Sequence, residues 1–176
     1  MTTELSVTRD KSKRPAIAAK APEHIPADVR AYAAGFIDGE GCISIRKQNP
    51  ENMPGRVSPC FGICIQVVNT HQGTLDFLTN YFGGHVYKHK HWEGQNNGWK
   101  PRFVWVLYER QAYYALMLLF PYLHVKKEHA QICIDFYETR RHKPSQTRLP
   151  PEEIQRSQRY YYAIRALNKR GAQNDH

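Results

Sequence analysis

The chain has 176 residues, a length that supports one compact domain with a buried core. It carries 25 Lys and Arg against 16 Asp and Glu, and the net charge of +9 favours a polyanionic partner, nucleic acid before membrane. No apolar run approaches the roughly 20 residues that a bilayer-spanning helix needs, so no membrane partner is expected.

The predicted elements follow from the spacing of apolar residues and from turn signals. The first helix runs from its N-cap, Asp28, to the break at Gly39–Gly41, and strands 42–48 and 58–68 follow it. A second helix starts after Asn69 or Thr70 and ends at Gly83, and strands 85–92 and 102–108 follow that helix. The remaining elements are helices 109–120, 126–142 and 151–169. This order predicts an α+β domain with an antiparallel sheet whose helices cover one face. The other face is expected to lie in solvent.

The N-terminal segment 1–25 and the cysteines bear on the domain organisation and the compartment. Residues 1–25 lack the apolar stretch of a secretory signal and are rich in Ala, Lys, Pro and Ser, so we predict a flexible basic arm. Residues 26–176 then form a single domain, with C-terminal helices from about residue 126. The four cysteines form no C-x-x-C pair and are predicted to be reduced intracellular thiols.

A stripe of small residues lies along the first predicted helix. Ala31, Gly35 and Gly39 recur at intervals of four, so this side of the helix lets a second helix backbone approach closely. Glu40 follows at the helix C-terminus, where the negative end of the helix dipole disfavours a carboxylate and a bound divalent cation would relieve the repulsion. Because the chain contains only one such stripe, two chains are needed, and we predict a homodimer with twofold symmetry.

Residues 33–41, with the sequence AAGFIDGEG, resemble the LAGLIDADG signature of homing endonucleases, and seven of the nine positions are identical or closely similar. Residues 121–127, PYLHVKK, resemble the second recurrent stretch of that family. Together with the order of the elements, the resemblance covers about residues 28–142. It implies an αββαββα core with a saddle-shaped sheet of four antiparallel strands for DNA.

The resemblance also implies roles for individual residues. The carboxylate of Glu40 and the carbonyl of Gly39 are expected to hold Mg²⁺, with Mn²⁺ able to substitute. This chain has Glu where Asp is usual in the family. Lys126 corresponds to the family's active-site lysine, with Lys127 as the alternative. Asn69 corresponds to a residue of the family's water network, although it also suits a helix N-cap. Asp38 is expected to make structural hydrogen bonds at the helix end.

The exposed face of the sheet is expected to read base edges in the major groove of double-stranded DNA. The alternation of polar and apolar residues selects candidates in the first three strands. The fourth strand is apolar on both faces, so its sequence does not show which of its residues point to the exposed face. Arg46 suits guanine and the glutamines suit adenine. The nominated residues are Ser44, Arg46, Gln48, Cys64, Gln66, Tyr87, His89 and His91.

These features predict a site-specific endonuclease that cleaves both strands of a long pseudo-palindromic DNA target by metal-dependent hydrolysis. It is expected in whichever intracellular compartment holds its target, and no small-molecule substrate is expected. The alternative is an intron RNA-splicing maturase or a DNA-binding regulator that does not cleave. Glu40 and Lys126 together favour the nuclease, since a pure binder needs no acid directed at phosphates. Zinc is disfavoured because the Cys and His residues lack the spacing of a closed site.

Overall fold

The computed structural model describes residues 25–89, 100–140 and 148–170. The strands are β1 (Gly41–Gln48), β2 (Cys60–Asn69), β3 (His85–Lys88) and β4 (Phe103–Tyr108). The helices are α1 (Ala27–Glu40), α2 (Gln72–Phe82), α3 (Glu109–Leu119), α4 (Lys127–Thr139) and α5 (Pro151–Arg170), with short 3₁₀ turns at Pro50–Asn52 and Phe120–Tyr122. The α+β order matches the prediction.

The four strands form one antiparallel sheet in the order β1-β2-β4-β3. Alternate residues point to the side that the helices cover and are buried there. These core residues are Ile43, Ile45, Phe61, Ile63, Ile65, Val67, Trp105 and Leu107. Burial of this continuous apolar surface fixes the register, since a slip by one residue would move every core side chain to the open face. The helix-covered face and the predicted fold class are therefore confirmed.

The structure assigns the parity of β4, which the sequence left open. Trp105 faces the helices, and its indole nitrogen donates a hydrogen bond to the carbonyl of Gly83 at 2.8 Å. Val104 and Val106 therefore lie on the opposite face, where both are buried. The open face of the sheet is thus partly apolar along β4 and polar along β1.

Several predicted helix ends shift by one to three residues. The N-cap of α1 is Pro26, without a side-chain cap, so the prediction of Asp28 as N-cap was wrong; Asp28 lies in the first turn. The N-cap of α2 is His71, whose Nδ1 accepts from the Thr74 amide at 3.2 Å, rather than Asn69 or Thr70. α2 ends as predicted at Gly83, which has a positive φ of 76° that suits glycine. α4 ends at Thr139, three residues before the predicted end.

Some expectations fall on residues outside the described ranges. They are residues 1–24 of the N-terminal arm, residues 90–92 of the third strand with His91, and the turn at 96–98. The last residue of the predicted arm, Ile25, is described and is buried. Within the described ranges, no helix combines the length and the apolar character that crossing a membrane requires.

Candidate functional site

Glu40 is the last residue of α1 and its side chain is exposed. The next residue, Gly41, donates its amide to the carbonyl of Ile37 and turns the chain into β1. A Cβ atom at Gly41 would lie 2.7 Å from that carbonyl oxygen, so glycine is needed for this close approach. Because α1 ends here, the carbonyl of Gly39 has no amide partner within the helix. One carboxylate and one carbonyl are therefore available at the helix end.

Asp38 ties the segment before α4 to the end of α1. Its Oδ2 accepts from the amides of His124 at 2.7 Å and Val125 at 3.2 Å, and its Oδ1 accepts from the amide of Lys126 at 2.9 Å. The Nζ atom of Lys126 donates to the backbone carbonyl of Asp38. Lys126 is thus held at the same helix end as Glu40, and the structural hydrogen bonds expected of Asp38 are present.

The hydrogen bonds also set the ionisation of Asp38. Partial burial acts to raise the pKa of this carboxyl group, but the three backbone amides and the charge of Lys126 outweigh it and hold the pKa below its ordinary value. Asp38 is therefore a carboxylate at neutral pH. A carboxylate with both oxygens engaged by amides is suited to positioning Lys126.

The donor set at the end of α1 fits a hard cation such as Mg²⁺. This ion prefers oxygen ligands and keeps several waters, so a site that offers one carboxylate and one carbonyl oxygen suits it. In the described ranges, no three His, Cys, Asp or Glu side chains cluster as metal ligands. Burial raises the pKa of the Cys64 thiol to about 11, which disfavours the thiolate that zinc would need.

The small stripe on α1 lies open in a single chain. Ala31, Gly35 and Gly39 are all exposed, and a Cβ atom at either glycine would meet nothing within 4 Å. Neither glycine is therefore required by packing within the chain.

Asn69 lies at the end of β2, where its Oδ1 accepts from the His71 amide at 2.8 Å. This bond gives its side chain a local role at the start of α2.

The nominated reading residues within the described ranges lie on the face of the sheet opposite the helices. In β1, Arg46 and Gln48 are exposed and Ser44 is half-buried. Gln66 is half-buried in β2, Tyr87 is 47% exposed in β3 and the partly buried His89 follows β3.

Cys64 differs from the other nominated residues. It lies on the open face but is only 2% exposed, beside Ser44 and Tyr108 in register. A buried thiol cannot reach a base edge, so strand alternation alone gave the correct face but the wrong accessibility.

Tyr108 belongs to the same face and was not nominated. It is 39% exposed at the end of β4, and its hydroxyl accepts a 2.8 Å hydrogen bond from Nη1 of Arg46. The apolar alternation of β4 hides its parity. Trp105 was the usable signal, because the largest apolar side chain of a strand belongs in the core and places Tyr108 on the other side.

The model of the LAGLIDADG endonuclease family matches residues 33–100. A comparison with curated protein sequences gives no match. Among solved structures, the homing endonuclease I-CvuI in complex with its target is similar with a TM-score of 0.62 and 19% identity, over 78% of this chain and 80% of that chain. The archaeal intron-encoded homing endonuclease I-Vdi141I, complexed with DNA, has a TM-score of 0.60 and 16% identity, over 78% of this chain and 82% of that chain.

The LAGLIDADG homing endonuclease I-GzeII, in complex with its DNA target, differs in coverage. Its TM-score is 0.51 at 18% identity, and the match covers 78% of this chain but 43% of that chain. At these identities the structures show a shared fold. The resemblance carried by residues 33–41 is therefore confirmed, since the model of the LAGLIDADG endonuclease family matches residues 33–100.

Proposed function

We propose that this protein is a site-specific homing endonuclease that cleaves both strands of double-stranded DNA as a homodimer. The observation that carries the proposal is the arrangement at the end of α1. Glu40 is exposed there, and the hydrogen bonds of Asp38 hold Lys126 at the same place. Glu40 and Lys126 lie 86 residues apart in the sequence, yet they meet at this helix end. A helix end with a purely structural role would not need an acid and a lysine brought together in this way.

The residues divide the chemical work. The carboxylate of Glu40 and the carbonyl of Gly39 would hold Mg²⁺, or Mn²⁺ in its place. When bound, a divalent cation activates the attacking water and neutralises charge on the leaving 3′ oxygen. Lys126 donates to a phosphoryl oxygen as charge develops on it, and Asp38 keeps the lysine oriented by fixing its backbone. Asn69 is proposed to order water near this site.

The dimer follows from the single stripe on α1. Ala31, Gly35 and Gly39 are open in one chain, and a second copy of α1 is the helix proposed to cover them. Two copies place two Glu40 side chains near the symmetry axis, one for each DNA strand.

The DNA-binding surface is proposed to be the open face of the sheet. Arg46, Gln48, Gln66 and Tyr87 lie on it, and a β-ribbon fits the major groove. I-CvuI and I-Vdi141I, which share the fold, are described as complexes with a DNA target and with DNA. β1 and β2, with 8 and 10 residues, span about 30 Å, or about 9 base pairs, so two subunits would read roughly 20 pairs of a pseudo-palindromic site.

The test is Glu40→Gln, measured on a target selected from a random DNA library. Cleavage in Mg²⁺ should fall by at least about 100-fold, because loss of an outer-shell partner already reduces metal-site function by about 10- to 100-fold. Binding should stay near the wild-type level, since the base-reading residues are untouched. Glu152→Gln is the matched control, as it removes an exposed carboxylate on α5.

Two outcomes would contradict the proposal. If Glu40→Gln cleaved DNA at the wild-type rate, Glu40 would not be a metal ligand. Sequence-specific binding by the wild type without cleavage, in both Mg²⁺ and Mn²⁺, would favour the DNA-binding regulator instead.

A further inference from the structure

A small cleft of about 70 Å³ lies at one end of the open sheet face. It is lined by Arg46, Gln48, Cys60, Gly62, Ile63, Tyr108 and Glu109. The acidic residue is unexpected, because a carboxylate on a surface that faces DNA is repelled by the phosphates. A carboxylate at this place needs a cation or hydrogen-bond donors beside it.

The structure holds the Glu109 side chain in one place. Its Oε2 lies 2.5 Å from Nη2 of Arg140, whose side chain is only 18% exposed, whereas that of Glu109 is 42% exposed. Arg140 is itself fixed, because its Nη1 donates to the carbonyl of Phe61 at 3.2 Å and its guanidinium lies over the ring of Phe136. Oε2 of Glu109 is thus held in place by Arg140.

The other oxygen of Glu109, Oε1, lies on the cleft side. A Cβ atom at Gly62 would overlap it, so the absence of a side chain at this position of β2 makes room for the carboxylate. The backbone of Glu109 also has a φ of 54°, in the left-handed region that residues with side chains rarely adopt. Such strain persists where the surrounding structure enforces it, and it is common at functional sites.

Arg46 is the cationic residue of the same cleft. It pairs with Gly62 across β1 and β2, and its Nη1 donates to the hydroxyl of Tyr108 at 2.8 Å. Its guanidinium also lies 5.4 Å from the centroid of the Tyr108 ring. A fixed guanidinium and a fixed carboxylate therefore share one cleft on the proposed DNA surface.

We infer that this cleft reads a G·C base pair, with Arg46 on guanine and Glu109 on cytosine, an inference that rests on the proposed function. In the major groove guanine presents the acceptors N7 and O6, and cytosine presents the N4 amino donor. Arg46 donates to N7 and O6 of guanine, and Oε1 of Glu109 accepts from the N4 amino group of cytosine. Thymine in place of cytosine would set its O4 acceptor against the carboxylate, so the cleft also rejects an A·T pair.

The test compares the base preferences of variants in a library of binding sites. The wild type should prefer G·C at one symmetric pair of positions. Glu109→Gln should lower that preference about tenfold, and Arg46→Ala should lower the preference at the same base pair. Glu138→Gln is the matched control, because it makes the same chemical change at an exposed residue of α4, which bonds the Tyr113 hydroxyl. Its profile should be that of the wild type.

A second variant separates reading from folding. Gly62→Ala keeps the carboxylate but displaces Oε1 from the cleft, so it should lower the preference at the same base pair. Thermal unfolding of each variant shows that the comparison is made on folded protein.

Unchanged profiles for folded Glu109→Gln and Gly62→Ala would overturn the inference and leave Glu109 as a link from β4 to Arg140. A loss spread evenly over all positions would overturn it equally. A wild-type protein without any sequence preference would instead overturn the proposed function.

Discussion

At the scale of single residues, the candidate site depends on Asp38 as much as on Glu40. Glu40 and Lys126 were found from two short motifs that lie far apart in the sequence. Neither motif tells how the two residues meet. The structure supplies the reason, because one carboxylate accepts three backbone hydrogen bonds from the segment that leads into α4.

Asp38→Asn should therefore destabilise the protein and slow cleavage. Asparagine has one acceptor oxygen and no charge, so it cannot serve all three amides, and the expected loss is about 1–3 kcal/mol at pH 7. Cleavage should fall along with stability because Lys126 loses its fixed backbone. The measurement is thermal unfolding together with cleavage of the selected target. Asp135→Asn is the control, since its side chain accepts a hydrogen bond from the Gln131 side chain on the same helix, α4.

The same variant gives a pH dependence with a defined sign. The folded pKa of Asp38 lies below its ordinary value, so its stabilisation is fully present above about pH 5 and is lost as the pH falls through the folded pKa. The stability gap between wild type and Asp38→Asn should therefore narrow below about pH 4. An equal gap at pH 7 and pH 3 would show that the charge of Asp38 contributes nothing.

Residues whose role depends on another strand were the ones that sequence reasoning missed. Alternation along β1 correctly separated Ile43 and Ile45 from Arg46 and Gln48. Tyr108 and Glu109 were not predicted as residues of the exposed sheet face, because β4 is apolar on both faces and α3 starts directly after it. The position of Glu109 becomes visible only when Gly62 is placed beside it in three dimensions.

At the scale of elements, the predicted types were right and the predicted ends were less accurate. Periodicity reports which face of an element is buried, and burial is a property of many residues together. An end is decided by one or two local hydrogen bonds. At α2, for example, both Asn69 and Thr70 are plausible caps by composition, yet the cap is the His71 side chain, while Asn69 bonds the His71 amide.

The stripe on α1 gives a prediction that belongs to the element. Gly35→Leu should shift the protein from dimer to monomer, because a leucine side chain would separate the two helices. Gly35→Ala sharpens the test. A Cβ atom meets nothing within 4 Å in one chain, so alanine should favour the helix by up to about 1 kcal/mol in a monomer, yet it should weaken a closely packed dimer.

The measurement is the molecular mass by analytical ultracentrifugation over a range of protein concentrations. Ala163→Leu is the control, because it adds similar bulk at an exposed alanine of α5. If Gly35→Leu stays as dimeric as the wild type, the interface lies elsewhere on the molecule.

At the scale of the whole molecule, the net charge and the proposed twofold symmetry bear on how the protein would bind DNA. The net charge of +9 supplies attraction to DNA that is independent of sequence and weakens with added salt. Sequence preference is proposed to come from the open sheet face, which has both polar positions along β1 and buried apolar positions along β4. A symmetric dimer then repeats each preference in the two halves of the target.

The dimer also predicts how cleavage is divided between the two chains. Each Glu40 is proposed to serve one DNA strand, so a heterodimer of wild type and Glu40→Gln has one competent site. After subunit exchange, such a mixture should convert supercoiled plasmid mainly to the nicked circle, whereas the wild-type dimer gives linear product. Affinity purification on two different tags isolates the heterodimer, and a doubly tagged wild-type dimer prepared in the same way is its control. Linear product at the wild-type rate would show that one Glu40 serves both strands, and complete inactivity would show that the two sites act only together.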